Sequence, residues 1–89
     1  MEIQIRYCLL WNYRPQAARL AEELKNKIDV NVKLTPWWIG AFDIIVDGQE
    51  VFSKHKAGRF PTPGEVAGII KGLQEIPDPP GIEDGYNYQ

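Results

Sequence analysis

Sulfur is scarce in this chain. One cysteine, Cys8, and one methionine, Met1, stand among 89 residues. A single thiol excludes an internal disulfide framework and fits a reducing compartment. The one histidine, His55, lies far from Cys8 in sequence, so the pair makes no metal-ligand spacing and no metal is expected. No apolar run approaches the length of a membrane span. The opening residues Met1-Glu2-Ile3-Gln4-Ile5-Arg6 alternate like a strand and lack the layout of a signal peptide. The reading is therefore a cytoplasmic protein with no membrane segment and no bound cofactor. Lys and Arg are missing from residues 75–89, which hold Glu75, Asp78, Glu83 and Asp84. That stretch carries −4 and leaves +2 on the rest, together the net −2. With neither value comes a concentrated basic face, so nucleic acid is not an expected partner.

What is present is an ordinary globular composition, in a length that suffices for one core. Ile3, Ile5 and Tyr7 alternate with Gln4, Arg6 and Cys8 and predict a strand over 2–8. Leu9 and Leu10 read as a short apolar loop, and Asn12 as a helix N-cap. Pro15 suits a first helical turn, where its missing N–H costs nothing. Ala17, Leu20, Ala21, Leu24 and Ile28 then recur at helical spacing, with Glu23 and Lys27 at a favourable i, i+4 offset on the other face. Val30, Val32 and Leu34 predict a strand over 29–34, ended by Thr35-Pro36. Residues 41–46 are apolar almost throughout, as in a strand buried on both faces. Asp47-Gly48 is a hairpin signal. It leads into a strand over 49–54, with Val51 and Ser53 on one face and Glu50, Phe52 and Lys54 on the other. Residues 54–61 read as a basic, solvated connector. Thr62, Pro63 and Glu65 predict a capped helix with Val66, Ile69, Ile70 and Leu73 as its buried stripe. Its glycines 64, 68 and 72 either weaken it or allow close packing. Residues 1–74 are taken as one domain, and the acidic, Pro-rich residues 75–89 as a mobile tail.

The order is β-α-β-β-β-α. Strands joined through a helix should be parallel, and the 47–48 turn makes the next pair antiparallel. A mixed four-stranded sheet with two helices is the minimal thioredoxin-like α/β arrangement. In it, Cys8 lies where a strand ends and a helix begins, near free N–H groups and a dipole that favour a thiolate. The bland alternative is a small apolar residue buried at a strand end. Redox loops of this kind usually carry a second sulfur or selenium three residues on. That place is Trp11. Further along, Trp37 and Trp38 follow Pro36 in a loop with much apolar surface. Either they form a docking surface, or one of the two fills a core gap and the other is incidental.

The sequence resembles the selenoprotein W / Rdx family, whose members carry Tyr-Cys-x-x-Cys or Tyr-Cys-x-x-selenocysteine after the first strand. The match runs through Tyr7, Cys8, Asn12, Tyr13, Arg14 and Pro15, then Ala17, Ala18, Ala21, Glu23 and Leu24. It continues with Thr35-Pro36, Gly40, Phe42, Asp43, Asp47-Gly48, Ser53-Lys54 and Gly58-Arg59-Phe60-Pro61. It covers residues 2–73 and leaves the acidic tail outside. The resemblance implies a thioredoxin-like fold and thiol redox work through Cys8, with glutathione or protein thiols as partners and glutathione as a co-substrate. In thioredoxin-like folds the loop before the third strand faces the redox loop, and its proline is often cis. That makes Tyr13, Pro36, Trp37 and Trp38 the expected binding surface. Trp11 departs from the pattern and has three readings. It is a true tryptophan that ended two-centre chemistry, or ordinary packing. Or it marks a native selenocysteine, whose UGA codon differs by one base from UGG. As it stands, the polypeptide lacks a resolving cysteine. Two functions follow: a thiol redox protein working through Cys8, or a non-catalytic interaction module using the Trp37/Trp38 surface.

Overall fold

The chain, seen in a computed structural model that describes residues 1–75, begins with strand β1 (Ile3–Cys8) and helix α1 (Arg14–Ile28). Strands β2 (Val32–Trp37), β3 (Phe42–Val46) and β4 (Gln49–Ser53) follow, then helices α2 (Lys54–Ala57) and α3 (Glu65–Glu75). The expected mobile tail lies, from residue 76 on, outside the described residues. The strands form one sheet in the order β2-β1-β3-β4. β1 pairs with β2 in parallel and β3 with β4 antiparallel, as their connections led one to expect, and β1 pairs with β3 antiparallel. No described helix is long and apolar enough to cross a membrane.

Both long helices pack on the same sheet face. Ile3, Ile5 and Tyr7 of β1 share a buried cluster with Phe42, Ile44, Val46 and Phe52 from the sheet. Ala17, Leu20 and Leu24 of α1, and Val66, Ala67 and Ile70 of α3, complete it. Side chains alternate along a strand, so Gln4, Arg6 and Cys8 point to the opposite face. Register places Lys33, Thr35 and Trp37 beside them on β2, and Asp43 and Ile45 on β3.

Local chemistry accounts for where the elements differ from expectation. Asn12 is not the cap of α1. It takes a left-handed φ of 57°, which asparagine tolerates, and Tyr13 becomes the N-cap residue. β2 starts later than residue 29 because Asp29, at φ 53°, still closes α1 by donating its N–H to the Lys25 carbonyl. The strand then runs through Pro36 to Trp37, since an edge strand tolerates a residue without an N–H. A bulge between Ile44 and Ile45 pairs Glu50 with Ile45 and Phe52 with Ile44. Phe52 is thereby carried into the core, off the polar face where simple alternation put it. The basic connector contains a short helix, α2, capped by the Ser53 hydroxyl, so the described chain has three helices where two were expected. In α3, Leu73 is exposed and Ala67 takes a core place. A Cβ on Gly68 or Gly72 would meet nothing within 4 Å, so these glycines do not serve close packing.

The start of α3 is tied down electrostatically. The Glu65 carboxylate accepts from the Thr62 backbone N–H at 2.9 Å and from both Arg59 terminal nitrogens at 2.8 and 2.9 Å. The helix begins at Glu65, two residues beyond Pro63, because Gly64 adopts φ 82° between them. The Arg59 pairing first, then the Thr62 N–H, holds the Glu65 carboxyl at about 2, below its ordinary 4.5. A carboxyl lowered in the folded state stabilises the fold above its unfolded value, and that contribution fades as pH falls through the folded one. Glu65→Gln should therefore lower the melting temperature at neutral pH and flatten the acid limb between about pH 4.5 and 2. Parallel melting curves for the two proteins across that window would sink this assignment.

Candidate functional site

The loop after β1 is closed by its own backbone. Asn12 donates to the Leu9 carbonyl at 3.0 Å, and Tyr13 to the Cys8 carbonyl at 2.9 Å. The Cys8 N–H donates across to the Ala41 carbonyl at 2.8 Å. This winding turns the Trp11 backbone N–H onto Cys8 Sγ at 3.2 Å. Position 11 is thus folded against the sulfur, as a C-x-x-C spacing requires. Cys8 is a free thiol with no solvent exposure.

Trp11 does not fill the core. Its side chain is 54% exposed, and its ring lies against Gly40, where a Cβ would come within 3.2 Å of it. Gly40 also has φ 81°, so glycine is demanded there twice, by the backbone and by the indole. Trp37 is the β2 partner of Cys8, and Pro36 that of Tyr7. The described residues contain no cis peptide, so Thr35–Pro36 is trans, and Pro36 is exposed on the sheet edge. Trp38, 74% exposed, stands edge-on to Trp37 with centroids 6.4 Å apart. Leu9, Leu10 and Ile39 are exposed beside them. These six residues leave adjacent strands at one end of the sheet and form an apolar patch around the cysteine loop.

Tyr13, expected on that binding surface, stands edge-on to Trp11 with ring centroids 6.0 Å apart. It is half-buried, with its ring 4.9 Å from Phe60 and 6.4 Å from Phe42, both edge-on. Capping α1 from inside the bend turns the ring toward the core. Lys54 Nζ lies 5.6 Å from the centroid of the Tyr13 ring. A groove beside the loop has Trp11, Trp38, Ile39, Asp43, Glu50, Lys54 and Lys56 in its lining. Lys56 donates to Glu50 at 2.8 Å, and that hydrogen bond raises the ammonium group above its ordinary range.

Two more residues belong to the site, and reading the sequence missed the role of the second. Arg6, whose guanidinium carbon sits 4.3 Å from the centroid of the Trp37 ring, shares a sheet face with Cys8, as its i, i+2 spacing signals. The indole seat at Gly40 left no local signal, because the contact spans from position 11 to position 40.

Known proteins resemble the chain as follows. The Rdx family matches it over residues 2–72. The crystal structure of a selenoprotein W-related protein from Vibrio cholerae superposes with a TM-score of 0.77 at 27% identity, covering 81% of this chain and 94% of that one. That of a protein from Bordetella parapertussis does so with a TM-score of 0.75 at 27% identity, covering 81% and 95%. No curated protein sequence matches significantly. The thioredoxin-like arrangement expected from the order of elements holds.

Proposed function

The chain belongs to the Rdx family, and from that premise we propose that it is a thiol redox protein working through Cys8, with glutathione or protein thiols as its partners. The observation that carries this reading is the Trp11 N–H held on Cys8 Sγ at 3.2 Å. That contact folds the second position of the loop onto the sulfur, the geometry that a C-x-x-C redox site uses, and the thiolate is the attacking form of a cysteine. The thiolate attacks a disulfide, forms a mixed disulfide and expels the other sulfur as a thiolate. No second thiol exists in this chain to resolve the adduct. Resolution therefore falls to an external thiol such as glutathione, which takes over the bound group and releases Cys8. Lys54, beside the loop in a groove walled by Trp11 and Trp38, suits the carboxylates of such a co-substrate. A reducing cytoplasm fits a lone free thiol. Position 11 is natively selenocysteine in this reading if the source gene carries UGA there; UGG in that gene ends the selenium claim.

Incubating the native protein with oxidised glutathione should add one glutathionyl group, seen by intact mass and absent from Cys8→Ser. Modification that appears only after unfolding would refute the redox role.

A second reading rests on the exposure of Leu9, Leu10, Trp11, Trp37, Trp38 and Ile39. Contiguous apolar surface of this kind marks interaction sites, and here it would dock a partner protein without catalysis. If Cys8→Ser keeps the biological activity, this second reading stands in place of the first.

A further inference from the structure

Cys8 points to the sheet face that neither α1 nor α3 covers, and yet it has no solvent exposure. Its neighbours on that face are set by register. Trp37 stands beside it on β2. Arg6 precedes it by two residues on β1, with Thr35 and Asp43 as its own cross-strand partners. Asp43 is the carboxylate an arginine in this place would be expected to engage, but no ion pair joins them among the described residues. The Arg6 side chain instead crosses toward β2, with its guanidinium carbon 4.3 Å from the centroid of the Trp37 ring. That distance is well inside cation–π range. Its Nε is buried with no hydrogen-bond partner. Trp37 itself is 41% exposed, so one side of the ring is free to swing outward.

We propose that the Arg6–Trp37 stack is a gate over Cys8 on the uncovered sheet face, and that Arg6 is the positioning residue for disulfides that carry a carboxylate. This rests on the redox reading of Cys8. Closed, the stack shields the sulfur. Open, it uncovers the thiol and frees the guanidinium, whose unpaired Nε–H can then receive a substrate carboxylate. With the substrate so held, the Cys8 thiolate attacks the nearer sulfur. The Cys8–S bond forms, the substrate S–S bond breaks, and its electron pair leaves on the departing thiolate.

Two rates test the gate in the full-length protein. The first is alkylation by iodoacetamide, which is neutral and needs no redox competence. Trp37→Ala and Arg6→Gln should each raise it by roughly fivefold or more, the scale of one lost cation–π contact. The second is the ratio of rates with dithiobis(nitrobenzoate), which is anionic, and dithiodipyridine, which is neutral. Arg6→Gln should lower that ratio several-fold and Arg6→Lys should preserve it, a pattern that a merely structural role would not produce. Urea midpoints confirm that the variants are folded. Arg6→Gln keeps the first two methylenes of the stem, so the ratio remains readable if Trp37→Ala does not fold. Folded variants that alkylate at the wild-type rate with an unchanged ratio would overturn the gate, even if the wild type forms mixed disulfides. Faster alkylation in variants that never form a mixed disulfide would uphold the gate and remove the redox reading.

Discussion

Trp11→Cys should turn a protein that stops at a mixed disulfide into one that closes an internal 8–11 disulfide and releases the adduct by itself. The backbone at position 11 is already folded onto the sulfur, with its N–H 3.2 Å from Cys8 Sγ. A thiol introduced there attacks the Cys8 mixed disulfide from within the same loop. Its effective concentration is then about millimolar or higher. Against micromolar external thiol, resolution should quicken by roughly a thousandfold. Atoms balance: the new sulfur bonds to Cys8, and the bound group leaves as a thiol. Little packing is lost, because the Trp11 ring is half in solvent and touches Gly40 from outside the core. Quenched-flow trapping and mass analysis of the adduct would follow the reaction. A Trp11→Cys protein whose adduct persists as long as that of the wild type would show that the loop has lost two-centre geometry. It would also strip the native-selenocysteine reading of its structural support.

Phe42→Ala is expected to cost roughly 3–5 kcal/mol. Phe42 is among the largest fully buried side chains. Its ring meets Phe60 edge-on at 5.0 Å and Tyr13 at 6.4 Å. Those contacts join β3, the connector after β4 and the residue that caps α1, three segments with no backbone ladder in common. A domain of this size has a total stability of roughly 4–11 kcal/mol, so the variant should lose a large share of it. The surviving folded fraction should also lose the orientation of the cysteine loop, since Tyr13 fixes its far end. Urea denaturation measures the first effect. A midpoint within experimental scatter of the wild type would mean that the aromatic trio is not what joins these segments.

The elements themselves were legible because their patterns are local. Alternation in β1, the helical stripe of α1 and the Asp47-Gly48 turn each need only neighbouring residues. Asp47 and Gly48 do adopt φ 50° and 82°, the left-handed pair that such a turn requires. The capping role of Glu65 was legible for the same reason, from its three-residue spacing to Thr62. Less legible were features set by competition between segments. Whether Pro36 ended β2 depended on β2 being an edge strand, and the face taken by Phe52 depended on a bulge opposite it. Neither fact is written near the residue it governs.

By itself, the sequence determined that one cysteine stands at a strand-to-helix loop, that position 11 carries an indole there, and that the order β-α-β-β-β-α permits one mixed sheet. Those follow from residue identity and from periods of two and 3.6. Tertiary structure alone decided that Trp37 is the neighbour of Cys8, that Arg6 lies on Trp37 and that Trp11 rests on Gly40. Register is settled by which strands pair and by which face the helices bury, and that burial is a property of the whole core.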